Sequence, residues 1–271
     1  MKTSSFRSTF RTDKWWIEPL LILSGLAAFV LYASWAGYQG NYYWWSNHEH
    51  GFGGYLSPFY SPLLWIKEGV EGGADIAHAW LGPWPGWWPN SILLPESPSL
   101  LILVFPLSIR FTCYYYRKAY YHAFAGSPPA CAVGAIPQKS YKGETGLMIF
   151  QNIHRYTLYI GIIFIFLLSY DAVLSFFRGG QFGIGVGSMV LLINPILLGS
   201  WTFGCHAFRH LVGGNSNCMS CSLVRYQTYK KVSWLNSHHQ LFAWCSLFWV
   251  GFSDFYVRMV SMGVFNDINT W

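Results

Sequence analysis

The chain has 271 residues, of which 53% are hydrophobic, 20% are aromatic and only 10% are charged. Soluble domains carry roughly 25% charged residues, so this composition excludes an ordinary soluble protein and favours a membrane protein. The formal net charge of +6 does not indicate a nucleic-acid-binding protein, because the basic residues form no single patch.

Five apolar segments are long enough to cross a bilayer as helices, which takes roughly 20 residues. The first segment has no clear small-residue cleavage site, so we interpret it as a membrane helix and not as a signal peptide. No repeat or low-complexity tract divides the chain, which predicts one all-α membrane domain over residues 1–271. The predicted transmembrane helices 1 to 5 cover about residues 15–36, 98–124, 146–177, 184–211 and 234–264.

Residues 37–97, here called the outer segment, separate helices 1 and 2 and are rich in Trp, Gly and Pro. No uninterrupted apolar run in this segment is long enough to span a bilayer. Because Trp and Tyr prefer the membrane interface, the outer segment is predicted to lie in or on that interface. It also contains His48 and His50, whose spacing of two gives little support to a metal site on a helix.

The basic residues predict the orientation of the chain. With five spans and the N-terminus inside, 14 of the 17 Lys and Arg residues fall on the inner side and 3 on the outer side. The inner residues are Lys2, Arg7, Arg11, Lys14, Arg110, Arg117, Lys118, Lys139, Lys142, Arg155, Arg209, Arg225, Lys230 and Lys231, and the outer ones are Lys67, Arg178 and Arg258. We therefore predict a cytoplasmic N-terminus and an outside C-terminus.

This orientation gathers most cysteines and histidines at the cytoplasmic face. Thiols stay reduced in the cytoplasm, so structural disulfides are not expected and a metal-binding role gains support. The residues concerned are Cys113, Cys131, Cys205, Cys218 and Cys221, with His122, His154, His206, His210, His238 and His239.

The end of helix 4 and the loop after it carry the strongest metal-binding pattern. His206 and His210 are four apart and share one face of a helix, and Cys218 and Cys221 form a CxxC motif after a Gly-Gly turn. Two imidazoles and two thiolates are the ligands of a Rieske-type [2Fe–2S] centre, and they also suit zinc. The spacing departs from the soluble Rieske pattern, in which each of two loops gives one Cys and one His.

Two further residues are alternative ligands, namely Cys205 and His239. Cys205 lies about 100° around the helix from His206, so these neighbours are not expected to bind jointly. Cys205 can nevertheless replace one thiolate of the CxxC motif. The alternative interpretation of the whole pattern is structural, with interfacial histidines and inert small cysteines.

Histidines on the same side suit a role at a redox cofactor. His154, near the start of helix 3, suits either a quinone hydrogen bond or axial ligation of a haem, and otherwise is a polar interfacial residue. His238 and His239 begin helix 5 and suit support of the cluster ligands or the lining of a quinone pocket, and otherwise are interfacial residues.

Charged residues inside membrane helices are costly and need partners. Asp254 and Arg258 are four apart and are predicted to pair on one face of helix 5. Glu18 and Arg110 lie toward the inner ends of helices 1 and 2 and are predicted to pair across helices. Asp171, toward the outer end of helix 3, has no obvious partner in the sequence.

From about residue 98 onward, the chain resembles a known family through several motifs together. These are Cys113-Tyr-Tyr-Tyr-Arg-Lys-Ala-Tyr-Tyr, Ser127-Pro-Pro-Ala-Cys131-Ala-Val, Gln151-Asn-Ile-His154-Arg-Tyr156, Gly204-Cys-His-Ala-Phe-Arg-His210-Leu-Val-Gly-Gly214, Trp234-Leu-Asn-Ser-His-His239 and Asp254-Phe-Tyr-Val-Arg258. Their combination is similar to the five-helix membrane anchor of the actinobacterial-type succinate dehydrogenase, the respiratory complex II class without haem.

The resemblance implies a multi-pass protein of the bacterial plasma (inner) membrane. It implies two partners on the cytoplasmic face, a flavoprotein with covalent FAD and an iron–sulfur subunit with further clusters. It also implies a Rieske-type [2Fe–2S] cluster in the anchor and a quinone as the electron acceptor. The candidate quinone-binding residues are His154, Tyr156, Trp234, Ser237 and His238.

Two other functions stay open on the sequence. A b-type haem between histidines on separate helices ranks second, because the CxxC motif would then have no purpose. A non-redox membrane protein with a structural zinc site is the third interpretation.

Overall fold

The computed structural model describes residues 5–46, 54–136, 145–214 and 217–271, with residues 145–151 described by their backbone alone. His48 and His50 lie outside the described residues, as do Lys139 and Lys142. The described part is mainly helical, as predicted. Its helices are α1 (Ile17–Gln39), α2 (Pro98–Ile102), α3 (Val104–Thr112), α4 (Tyr114–Ala119), α5 (Thr145–Leu174), α6 (Val186–Phe203), α7 (His206–Gly213), α8 (Leu223–Ser237) and α9 (His239–Ser261).

The fold is not strictly all-α, because short strands pair in the loops. A 3-10 turn at Ile76–His78 and a π-helical turn at Tyr120–Phe124 complete the regular structure of the described residues. The strands are β1 (Trp44–Trp45), β2 (Tyr55–Leu56), β3 (Trp65–Ile66), β4 (Gly82–Pro83), β5 (Phe177–Arg178) and β6 (Gln181–Phe182). Strands β1–β2 and β5–β6 pair antiparallel, and β3–β4 pair in parallel.

Three of the described helices are long and apolar enough to cross a membrane, namely Ile17–Gln39, Asn152–Leu174 and Val186–Phe203. The pair Pro98–Thr112 and Tyr114–Phe124, bent by 71°, gives a fourth span if it counts as one. Helix α9 does not reach the same hydropathy because it contains several polar residues. The four most buried of these are Ser246, Ser253, Asp254 and Arg258, all at most 1% exposed.

Two predicted helices are broken, and each break places a cysteine before a short helix. Predicted helix 2 is divided between α2, α3 and α4, and Cys113 adopts an extended backbone with ψ 130° before α4. Predicted helix 4 ends at Phe203, and Cys205, with ψ 154°, precedes α7. The Cys205 Sγ accepts the Phe208 N–H at 3.2 Å, which satisfies a backbone donor that the broken helix would otherwise leave free.

The predicted helices 4 and 5 leave residues 212–233 as a loop between them, and this prediction is wrong for the second half of the interval, which forms most of α8. Ser222 begins this helix, and its hydroxyl oxygen accepts the Arg225 N–H at 3.5 Å. Predicted helix 5 therefore divides at His238, and Trp234 belongs to α8. Helices 1 and 3 agree with α1 and α5 to within three residues at each end.

The membrane helices pack in the order α3, α5, α6 and α9, and α1 packs on α9. Their shared core contains Leu158, Trp201 and Leu247, and the buried cysteines Cys113 and Cys205 belong to the same cluster. This packing brings the two helix breaks together at one end of the bundle.

The described part of the outer segment has its own hydrophobic core, which includes Tyr43, Phe59 and Tyr60. The predicted pair of Asp254 and Arg258 ties α9 to it, with Arg258 Nε 3.6 Å from Asp254 Oδ2. Asp254 accepts hydrogen bonds from the Tyr32 and Ser57 hydroxyls, and Arg258 donates to Gln39, Asn41 and Ala36. Polar residues inside the bundle therefore connect three parts of the chain.

Two other predictions about intramembrane charges need correction. Arg110 does not pair with Glu18, because its guanidinium points into the core, donates to Tyr116 and Ser246, and packs over Trp201. Asp171 does have a partner, since its carboxylate accepts a hydrogen bond from the Ser61 hydroxyl of the outer segment. In both cases the partner comes from a part of the chain whose packing the sequence pattern did not reveal.

The C-terminal tail is fixed to the same end of the bundle as the outer segment. Asp267 accepts hydrogen bonds from the hydroxyls of Tyr55 and Tyr256 and from the backbone N–H of Gly187. Arg178 approaches Asp267 to 3.9 Å and packs over the Trp271 ring. This network joins the outer segment, α6, α9 and the tail.

Gly187 lies directly against the buried Tyr55 ring. A Cβ at Gly187 would lie 2.2 Å from Tyr55 Cε2, so Gly187→Ala has to displace Tyr55 and its bond to Asp267. We expect a loss of stability of about 1–3 kcal/mol, seen as a lower melting temperature of the purified complex. Gly86→Ala is the matched control, because a Cβ there meets no atom within 4 Å. Equal melting temperatures for both variants would contradict the expectation.

Candidate functional site

The predicted histidine pair is brought together on α7. His206 Nε2 and His210 Nε2 are 3.1 Å apart, as their spacing of four residues predicts. Both rings are exposed. Partial burial lowers the pKa of His206, and the neighbouring charges of His210 and Arg209 lower it further. The neutral form of this imidazole, which is the form that binds metals, is therefore favoured.

The CxxC motif departs from the expectation of reduced thiols, because Cys218 and Cys221 form a disulfide. The three-residue spacing folds the loop back and brings their Cα atoms to 5.5 Å. Both residues are exposed. Among the described residues, no three His, Cys, Asp or Glu side chains are placed to hold one metal ion. The CxxC motif and the histidine pair thus remain two separate groups.

A second group of two cysteines and two histidines lies inside the bundle. It consists of Cys113, His154, Cys205 and His239, which come from four separate helices or helix breaks. Cys113, His154 and Cys205 are buried, at 2%, 8% and 3% exposure, and His239 is partly buried. The Cys113 Sγ is 3.6 Å from His239 Nε2. We call these four residues the buried group.

His154 is held by a network of hydroxyl groups. The Thr112 hydroxyl oxygen lies 2.8 Å from the Ser108 carbonyl oxygen and 2.9 Å from His154 Nδ1. When the Thr112 hydroxyl donates to that carbonyl, its oxygen accepts from His154 Nδ1–H, and the lone pair of Nε2 is then free to bind a metal. Such a hydrogen bond fixes the tautomer and the ring orientation of a histidine ligand.

His239 is held by ring stacking instead. Its imidazole stacks on Trp201 with ring centroids 6.0 Å apart and an interplanar angle of 19°. Its Nδ1 is buried and makes no hydrogen bond of standard geometry among the described residues, although the Trp201 backbone interacts with the imidazole, while its Nε2 faces the Cys113 sulfur. A buried polar nitrogen without a well-formed hydrogen bond costs free energy, so a ligand at this position would remove that cost.

The two cysteines of the buried group are also neighbours. Cys113 and Cys205 belong to the same cluster of packed buried residues. Burial raises the pKa of the Cys205 thiol to about 11, and the Phe208 N–H that points at its sulfur opposes this shift. A thiol in this environment is neutral at pH 7 unless a metal ion replaces its proton.

The buried group fits a Rieske-type [2Fe–2S] cluster in both ligand type and number. Each iron of such a cluster takes only two protein ligands, two cysteines on one iron and two histidines on the other. A site of this kind does not require three side chains around a single ion. The hydroxyl contact at His154 Nδ1 and the buried Nδ1 of His239, which makes no hydrogen bond of standard geometry among the described residues, are the observations that support the fit.

Sequence reasoning missed Cys113 as a member of the buried group and ranked Cys205 and His239 only as alternative ligands. One signal could have indicated Cys113. It lies toward the end of an apolar segment, and Cys205 lies toward the end of another apolar segment on the same side of the membrane. The break at Cys113 could not be predicted, because no proline or glycine marks it.

The five candidate quinone residues do not form one site. Trp234, Ser237 and His238 lie together at the junction of α8 and α9, where His238 Nδ1 is 2.9 Å from the Trp234 carbonyl oxygen. His154 contacts Thr112 instead. Tyr156 is 71% exposed on the surface of α5.

The fold and the site together define a mainly helical membrane protein with a buried group of thiols and imidazoles at one end. Over residues 17–263 the sequence matches the family described as actinobacterial succinate dehydrogenase subunit SdhC. The chain belongs to this family, and it is a subunit of succinate dehydrogenase.

A solved structure agrees with the family assignment. The chain is similar to a chain of the Mycobacterium smegmatis Sdh1 complex in the apo form, with a TM-score of 0.83 and 40% sequence identity. The similarity covers 97% of this chain and 94% of the other. A search of curated proteins finds no match.

Proposed function

We propose that this subunit anchors succinate dehydrogenase in the bacterial plasma membrane and passes its electrons to a quinone through a Rieske-type [2Fe–2S] cluster. Membership of the SdhC family supports the anchoring role. The buried group is the observation that carries the redox role, because a structural protein has no need of two thiols and two imidazoles converging inside a membrane bundle.

We propose Cys113 and Cys205 as the ligands of one iron, and His154 and His239 as the ligands of the other. Each like pair is close enough for its two members to interact electrostatically. Both cysteines belong to the same packed core, which excludes water from the site.

The ligand set predicted first, His206, His210, Cys218 and Cys221, is less well supported. Its two halves do not converge among the described residues. All four side chains are exposed. The disulfide would also have to be reduced before its sulfurs could bind iron.

Residues around the buried group would influence the reduction potential of the cluster. When bound, the cluster would carry one electron at a time. The reduction potentials of Rieske centres lie at about −150 to +300 mV. The Phe208 N–H and the buried Arg110 place positive charge close to the sulfurs of Cys205 and Cys113. Positive charge and hydrogen bonds to sulfur favour the reduced form and so raise the potential.

We infer five spans with the N-terminus in the cytoplasm. Helix α9 is the fifth span, because the polar residues that lower its hydropathy are buried inside the bundle and do not face lipid. The excess of basic residues on the inner side favours this orientation. The buried group then lies near the cytoplasmic face, where the flavoprotein and the iron–sulfur subunit would dock.

A b-type haem is the second candidate cofactor, because His154 and His239 approach each other from separate helices. The Cys113 sulfur, 3.6 Å from His239 Nε2, occupies space that a flat macrocycle would need. A zinc clasp at the exposed residues of α7 and the CxxC motif is the non-redox alternative.

The test is metal and haem analysis with EPR on the intact complex, purified anaerobically with its partner subunits. We expect a Rieske-type EPR signal with two irons assigned to this subunit. Stoichiometric zinc without that signal would exclude the redox proposal, and a haem α-band in the reduced-minus-oxidised spectrum would favour the haem alternative.

A further inference from the structure

We propose that Cys218 and Cys221 form a thiol–disulfide exchange site for a cytoplasmic protein dithiol. The two residues are joined by a disulfide, and both are exposed. The proposal goes beyond electron transfer to a quinone, and it takes from the proposed function only the orientation of the chain. In that orientation the loop between α7 and α8 lies on the cytoplasmic side.

A disulfide in this loop has little to offer as structural support. Thiols stay reduced in the cytoplasm, where the disulfides that do occur are usually transient and catalytic or redox-sensing. The bond encloses only two residues, so it constrains the unfolded chain much less than a disulfide across a long loop. It also connects no two helices, because both cysteines precede α8 in the same loop.

The turn between the two cysteines is fixed to the neighbouring helices. Met219 lies against the backbone of Gly213 at the end of α7, since a Cβ on that glycine would be 3.0 Å from Met219 Cε. The Tyr229 ring of α8 contacts the same glycine, and its hydroxyl accepts a hydrogen bond from Arg209 at 2.7 Å. The loop is therefore held by both helices, while its two cysteines remain exposed to solvent.

The electrostatic environment of the loop favours thiolates. Residues 206–240 contain no Asp or Glu. Their four basic residues are Arg209, Arg225, Lys230 and Lys231. Cys221 lies directly before Ser222, whose hydroxyl begins the 15-residue helix α8. Positive charge and a helix N-terminus both stabilise a thiolate, so Cys221 is the better leaving group of the pair.

The exchange consists of two steps that balance. A thiolate of the partner attacks Cys218 Sγ, the bond between the two cysteine sulfurs breaks, and Cys221 leaves as a thiolate. The second thiol of the partner then attacks the mixed disulfide, which releases Cys218 as a thiolate and leaves the partner as a disulfide. Two electrons pass to the anchor, and its two thiolates take up the two protons that the partner thiols release. The oxidised partner carries out the reverse reaction.

Charge and reactivity together define the partner. A dithiol resolves the mixed disulfide within one molecule, whereas a monothiol needs a second molecule to do so. The basic residues around the loop favour a protein whose dithiol lies in an acidic surface, because complementary charge speeds association. The partner is therefore a small acidic protein of the thioredoxin type.

The closing experiment incubates the intact complex in nanodiscs with graded ratios of a reduced and an oxidised thioredoxin. Acid quenching, maleimide labelling and peptide mass mapping then give the fraction of the pair in each state. We expect the disulfide fraction to change from about 90% to about 10% over about a hundredfold change in the ratio, as exchange between two two-electron couples requires. Cys131→Ser, which removes an exposed single thiol, is the matched control and should not shift the transition.

A thioredoxin whose second cysteine is replaced by serine tests the mixed disulfide directly. We expect it to be trapped on the wild-type anchor at Cys218, with Cys221 left free for alkylation. Cys218→Ser and Cys221→Ser each lack the disulfide that is attacked, so neither should trap it. In membrane vesicles, an impermeant maleimide should reach the reduced pair from the cytoplasmic side.

Several results would overturn the proposal. A pair that stays oxidised at every ratio until the complex is denatured is structural, and a reduced pair that retains zinc is a metal site. Absence of the trapped product, or labelling only from the outer side, also excludes the exchange site. Loss of the Rieske EPR signal in Cys218→Ser with Cys221→Ser would assign the thiols to the cluster. If the wild-type complex lacks that signal, the proposed electron route fails instead, and the thiol titration still decides the exchange site.

Discussion

A complex that carries His154→Ala and His239→Ala together should oxidise succinate with an artificial acceptor at the wild-type rate but fail to reduce quinone. Both histidines would be lost from one iron, and no nearby side chain among the described residues replaces them. Because even the partners of metal ligands typically contribute about 10–100-fold, we expect quinone reduction to fall more than about 100-fold. EPR should show that the Rieske signal is absent.

The matched control is His206→Ala with His210→Ala, which removes the same two side-chain types from exposed positions. These changes should leave the EPR signal and quinone reduction at wild-type levels. Cys218→Ser with Cys221→Ser should do the same. Loss of the signal in either control, with the signal retained in His154→Ala/His239→Ala, would assign the cluster to the ligand set predicted first.

Asp254→Ala should be among the most destabilising single changes in this subunit. It leaves the fully buried Arg258 without its carboxylate, and it takes an acceptor from the Tyr32 and Ser57 hydroxyls. Removal of one partner from a buried ion pair costs about 3–5 kcal/mol. The melting temperature of the complex in nanodiscs, and the amount that assembles in the membrane, should both decrease.

Asp13→Ala is the matched control, because Asp13 pairs with Arg11 at an exposed position. Exposed ion pairs add little to stability, so the melting temperature should not change measurably. If Asp254→Ala left the melting temperature at the wild-type value, the contacts of Arg258 with Gln39, Asn41 and Ala36 would be sufficient by themselves to hold the guanidinium.

The long helices of the fold could be predicted from the apolar runs in the sequence. Helices α1 and α5 follow apolar runs of the length that a bilayer requires, and the sequence located both to within three residues. The breaks at Cys113 and Cys205 could not be predicted, because tertiary contacts compensate for the backbone groups that they expose. The sequence did not predict helix α8, because this helix is polar and its apolar residues show little helical periodicity.

The candidate site was predicted in part. Periodicity brought His206 and His210 together correctly, since residues four apart on a helix are neighbours. The buried group was not found as a unit, because Cys113 and His239 are separated by 126 residues and meet only through the packing of four helices. Local spacing favours motifs within one segment, whereas this group uses one residue from each of four.

The distribution of the buried group along the chain bears on how the subunit is made. Its first member is at position 113 and its last at position 239, so no N-terminal fragment shorter than 239 residues holds all four side chains. With these ligands, metal loading has to follow insertion of α9, the last long helix.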